Sequence, residues 1–211
     1  MDKQLNDLLY ELPPGIDYSE DLFQLDTEDI PTDRIPKLLA LLGGVDEQAA
    51  FRAAYVLCGW GQQGGFGYMR DFVMRDPSMQ GGWYEHRLRG YDDTYHFALR
   101  AFVRYWAMLS DRSEIDGQIA RKEIFNPIQR VIDLSNDLPF EIDNFFWLLE
   151  DEGFTEYLPA LKAHLQAIIK DPQKHHWKVA DCAHMLMKFD PEFVTQTLAM
   201  HGYTLADFPN K

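Results

Sequence analysis

The run Asp46-Glu47-Gln48-Ala49-Ala50-Phe51-Arg52-Ala53-Ala54-Tyr55-Val56-Leu57-Cys58-Gly59-Trp60-Gly61, continued by Gln62-Gln63-Gly64-Gly65-Phe66 and stopped at Asp76-Pro77, decides the fold class. Ala50, Ala53, Leu57 and Trp60 recur at helical spacing and make one apolar stripe, with Glu47, Gln48 and Arg52 off it. Asp46 can accept from the unpaired N–H groups of the first turn. Gly59, Gly61 and Gly64-Gly65 end this helix, because glycine enters the left-handed conformations that a helix-to-helix turn needs. Phe66, Met69 and Val73 then mark a second amphipathic helix, which Asp76-Pro77 closes. The glycine stretch has no following Lys-Ser/Thr and no preceding strand, which argues against a phosphate loop.

Outward from this pair, apolar residues keep the 3–4 spacing from end to end, and strand-like alternation is nearly absent. Helices are expected from about Thr32 to Leu42, Thr94 to Leu109, Glu141 to Asp151, Thr155 to Lys170 and Pro172 to Phe189. Asn126-Pro127-Ile128-Gln129 and Asp190-Pro191-Glu192 read as helix starts, each a capping side chain before a proline whose missing N–H costs nothing at the first position. Residues 1–31, with Pro13-Pro14-Gly15 and Pro31, read as a partly irregular acidic N-terminal arm on a single helical domain spanning 1–211.

At 211 residues and 46% hydrophobic content the chain can build one substantial core. No run approaches the ~20 apolar residues of a membrane span, and Met1 to Asn6 lacks the basic and apolar regions of a signal peptide, so a cytoplasmic protein is expected. Cys58 and Cys182 lie in apolar helical patterns and suit buried reduced thiols. The net charge of −14 is uneven: residues 1–33 hold ten acids against Lys3, and residues 133–156 hold eight acids and no base. Such a field repels phosphate backbones and attracts basic surfaces, which disfavours nucleic acid and favours a basic protein partner. The alternative reading is a charge that merely keeps the protein soluble.

Sliding the chain against itself by 126 positions lays Phe51-Arg52-Ala53-Ala54 on Trp177-Lys178-Val179-Ala180, Leu57 on Ala183 and Trp60 on Leu186. Both copies read as helix, tight turn, helix. The segments from Glu47 to Arg75 and from Pro172 to Gly202 resemble HEAT-like helical repeats, which recur every ~40–47 residues, about a third of this offset. The resemblance implies a short solenoid of antiparallel helical pairs, with an irregular helical bundle as the alternative.

The clusters that could carry chemistry are incomplete. Glu85-His86 through Tyr91-Asp92-Asp93-Thr94-Tyr95-His96 collects metal-ligand types without a metal-binding spacing, and Arg100 and Arg104 follow His96 on one helix face. His164, His175, His176, His184 and His201 fall on several helices and read as surface or hydrogen-bonded core histidines. Cys58 lies at a helix end, where the dipole raises a thiol pKa, the wrong setting for a nucleophile. No catalytic, cofactor or metal site is therefore expected. The connection from Pro77 to Tyr91 is long enough to be functional. Trp83, Tyr84, Glu85, Tyr91, Asp92 and Asp93 there combine aromatics with acids, as protein-binding hot spots do, and Glu150, Asp151 and Glu152 add a second acidic stretch. The other reading has Trp83 and Tyr84 plugging the core beneath the loop.

Small acidic helical proteins with HEAT-like units and no active site resemble bacterial immunity proteins. That resemblance implies a tight one-to-one complex with a toxin domain, in which acids and aromatics cover a basic surface, as on toxins that attack nucleic acids. Two other classes stand beside it: a HEAT-like adaptor or regulatory subunit, and a helical metal-dependent enzyme built on the Glu85 to His96 cluster.

Overall fold

The computed structural model describes residues 2–19, 21–75, 82–85 and 90–209. The fold is all-α: the described residues form ten α-helices and short 3-10 turns, with no strand beyond an isolated bridge between Glu85 and Asp92. Contacts group the chain into two compact units, residues 1–83 with 100–127 and residues 84–99 with 128–211. The sequence reads as one domain over the same span.

The first unit holds α1 (Lys3–Tyr10), α2 (Ile35–Leu41), α3 (Glu47–Gly59) and α4 (Gln63–Val73). Asp46 caps α3 as its sequence dictates, its side chain accepting from the Ala49 N–H. Ala53, Leu57 and Trp60 of the stripe, joined by Ala49 and Val56, cluster with Leu9, Leu22, Leu25 and Leu38, so the N-terminal segment lies against this helix. Arg52 departs from the expectation that it lies off the stripe. It is 6% exposed, its guanidinium bonding both Asp21 oxygens (2.6 and 3.3 Å) while Nε donates to the Leu9 carbonyl. Tyr10 and Tyr55 lie beneath the same cation. A partner 31 residues away is invisible to helical periodicity.

The glycines divide their work differently from the expected turn. Within the stretch from Gly59 to Gly67 only Gly61 takes a left-handed φ, at 64°, whereas Gly64, Gly65 and Gly67 lie inside α4. Gly65 is where α4 meets α3: a Cβ there would stand 2.6 Å from Leu57 Cβ and 2.7 Å from the Cys58 nitrogen. The expected stop at Asp76-Pro77 falls outside the described residues, and α4 ends at Val73.

Two long helices, α5 (Thr94–Arg112) and α6 (Glu114–Leu134), contribute residues to both units. Asn126-Pro127 does not start a helix as expected, because Pro127 lies inside α6. The proline removes one backbone hydrogen bond. Ile124, Ile128 and Val131 are fully buried on either side of it and hold the helix through the gap. Fully burying one such side chain contributes ~1.5–3 kcal/mol, so several offset a lost bond of ~1 kcal/mol.

The second unit adds α7 (Phe146–Glu150), α8 (Leu158–Ile168), α9 (Pro172–Met187) and α10 (Pro191–Met200). The α7 helix is shorter than the expected Glu141 to Asp151, since a 3-10 turn over Asp143–Phe145 precedes it. Asp171 and Asp190 cap α9 and α10 ahead of Pro172 and Pro191. The pairs α3–α4 and α9–α10 are each joined by three residues, 60–62 and 188–190. Cys58 and Cys182 are free and buried, and burial raises both thiol pKa values.

Candidate functional site

The residues singled out in the long connection are placed by packing on one side and by a turn on the other. Trp83, in the first unit, is half-buried, with its ring centroid 5.5 Å from both Phe51 and Phe72. In the second unit Tyr84 lies 4.5 Å from Phe97. The Glu85–Asp92 bridge brings Tyr84, Glu85, Asp92 and Asp93 together, with the Asp93 N–H donating to the Tyr84 carbonyl at 2.7 Å. Asp92 Oδ1 accepts from the Tyr84 N–H, the Thr94 N–H and the Thr94 hydroxyl, so this carboxylate shapes the entry to α5. Tyr91 and Asp93 are half-buried, and Glu85 is exposed. His86 of the metal-ligand cluster lies outside the described residues. His96 donates through Nδ1 to the Glu141 carbonyl and lines no cluster of ligands among the described residues.

The acidic stretch is a surface. Glu150 ends α7, Asp151 and Glu152 follow, and all three are exposed. Glu150 pairs with Lys188 at 2.6 Å. Trp147, three residues before Glu150 and therefore on the same helix face, is 37% exposed. From sequence alone this tryptophan reads as core, because it stands among Phe145, Phe146, Leu148 and Leu149. The one available signal was its spacing from Glu150.

In the same unit, polar groups from distant segments meet inside the fold. Lys178 is 5% exposed and donates to the Ser135 carbonyl, the Ser135 hydroxyl (3.2 Å) and the Leu138 carbonyl (2.7 Å). These are neutral oxygens of the turn that ends α6, so the ammonium serves as its cap. Burial and then Lys174 lower the Lys178 pKa to about 8. His164, 1% exposed, donates from Nδ1 to Asn136 Oδ1 at 2.6 Å. Burial, Lys178 and His175 lower its pKa to about 3. Burial, Lys178 and Lys174 lower that of His175 to about 4, so both rings are neutral at pH 7. His184 donates to the Phe208 carbonyl at 2.9 Å.

Carboxylate oxygens of Glu141, Asp143 and Asp181 lie within 4.8 Å of one another. This is the donor type a hard divalent cation takes, but it supplies three of the roughly six to eight oxygens that calcium needs. Among the described residues no helix is long and apolar enough to cross a membrane. No protein-family model matches the chain, and no curated protein or solved structure matches it.

Proposed function

We propose that this chain is a non-catalytic protein-binding module that covers a basic surface of a partner protein. The observation that carries the reading is the exposed Trp147 beside Glu150, Asp151 and Glu152, an aromatic anchor rimmed by acids of which only Glu150 has a lysine partner among the described residues. Exposed tryptophan supplies contact area at low entropic cost, and the acids supply complementarity to a cationic partner. The bridge residues Tyr84, Glu85, Tyr91, Asp92 and Asp93 and the acidic segment 1–33 extend the same chemistry. The partner is a toxin domain with a basic surface, and the chain acts in the bacterial cytoplasm as its immunity protein. The similar connections of α3–α4 and α9–α10 support HEAT-like units as the scaffold.

The test is a pull-down that identifies the partner, followed by association kinetics with the purified toxin domain. Replacing Glu150, Asp151 and Glu152 by Gln, Asn and Gln should slow association tenfold or more at low salt, with little change in dissociation. The difference should fade as salt rises, since the screening length shrinks from ~10 Å at 0.1 M to ~3 Å at 1 M. The reading fails if association is the same for both proteins at every salt concentration.

A further inference from the structure

The α9 helix is interrupted. His175 has φ −114° and ψ 20°, outside the helical region, so the turn opened by Pro172 ends there and a fresh helix continues to Met187. Asp171 takes the Lys174 and His175 N–H groups, which leaves the helix that starts after the kink to direct the positive end of its dipole outward. Beside this one lies a cleft of about 240 Å³, lined at the kink by Lys174, His175, His176, Trp177 and Lys178 and completed by residues that include Tyr91 and Glu141.

Three features set the cleft apart. In a chain of net charge −14 it carries two lysines against one glutamate. Two further clefts lean acidic, one with Asp2, Asp7 and Asp33 against Arg34 and Lys37, the other with Asp207. Second, His175 lines the cleft while only 5% exposed, and its Nδ1 has no hydrogen-bond partner among the described residues. A buried polar atom in that state calls for a partner such as a water, an ion or a ligand group. Third, Trp177 is 41% exposed, and the His176 ring stands edge-on to it at 5.1 Å, which limits its rotation.

We infer that this cleft binds a small planar organic acid, its carboxylate held by Lys174 and the kink of α9 and its ring set against Trp177 and Tyr91. The volume equals that of ~8 waters at ~30 Å³ each, which suits a benzoate-sized molecule. Glu141 in the lining repels a second negative charge, so a monocarboxylate is favoured over a phosphate. Lys174 Nζ donates to the Asp137 carbonyl at 2.9 Å and has further N–H groups for the carboxylate, while Lys178 already donates to three protein oxygens and contributes through its charge.

The experiment follows the Trp177 indole N–H by nuclear magnetic resonance, assigned with Trp177→Phe, during titration with benzoate, benzamidine or inorganic phosphate. Benzoate should give a saturable shift, and benzamidine, of the same shape and opposite charge, should give none. Lys174→Glu, at an exposed position that leaves the core untouched, should weaken benzoate at least tenfold, and Trp177→Ala should weaken it as read by the remaining shifted resonances. The inference is overturned by any of four results: no saturable benzoate shift, equal binding of benzamidine, binding of phosphate without benzoate, or unchanged benzoate affinity in Lys174→Glu. Partner association does not enter the measurement, so this site and the proposed partner surface stand or fall separately.

Discussion

Replacing Arg52 by Met tests whether the N-terminal segment is held to α3 by one buried cation. Methionine keeps the aliphatic volume of the side chain and removes the charge. The change deletes two bonds to Asp21, at 2.6 and 3.3 Å, and one to the Leu9 carbonyl, and it leaves Asp21 without this partner. Breaking a buried pair by removing one partner costs ~3–5 kcal/mol. The Asp21 side chain is 30% exposed and can rehydrate in part, which places the expected loss near the lower end, about 3 kcal/mol. For an m-value of ~2 kcal/mol/M in urea, the midpoint should fall by ~1.5 M. Limited proteolysis should open first within residues 11–26, because Leu22, Phe23 and Leu25 depend on the clamp to stay against α3. In the double variant Arg52→Met with Asp21→Leu, part of the loss should return, since no charge is then left without its partner. A midpoint shift below ~0.3 M for Arg52→Met, or cleavage that starts elsewhere, would refute the clamp.

Acidification should destabilise the fold before the carboxylates titrate. The folded pKa values of His164 and His175, about 3 and about 4, lie below the ordinary histidine value of 6.5, so the unfolded chain binds protons that the folded one refuses. Their contribution is complete above pH 6.5 and falls as pH drops toward those values, by on the order of a few kcal/mol in all. The urea midpoint should therefore decrease between pH 7 and 5, and a flat profile there would contradict the burial of these rings. Gly65→Ala should destabilise by ~1–3 kcal/mol through the clash with Leu57 and Cys58, although helix propensity alone favours alanine by ~1 kcal/mol. A rise in melting temperature would show that α3 and α4 can separate freely. Trp83→Ala distinguishes a packing role from an anchoring one. Its contacts with Phe51 and Phe72 imply a stability loss of ~2–3 kcal/mol, and a melting temperature unchanged alongside tenfold weaker partner binding would make it an anchor instead.

What could be read from the sequence is what depends on neighbours within a few positions. The apolar stripe of α3, the caps Asp46, Asp171 and Asp190 and the prolines at 172 and 191 act within one or two turns, so the all-α class and most helix starts follow from local chemistry. The exposure of Glu150, Asp151 and Glu152 follows equally from charge, which water favours. The failures share a different cause. Pro127 continues a helix because burial of Ile124, Ile128 and Val131 outweighs a missing hydrogen bond, and burial is a property of the packed unit. Arg52 leaves solvent for Asp21, Gly65 serves a helix crossing instead of a turn, and Trp147 faces water among core aromatics. The cleft at the α9 kink is the plainest case. Its Tyr91, Glu141 and Lys178 come from three distant segments, and only the packed chain brings such groups together. Hydrogen-bond geometry and desolvation depend on distances in space, which spacing along the chain does not encode.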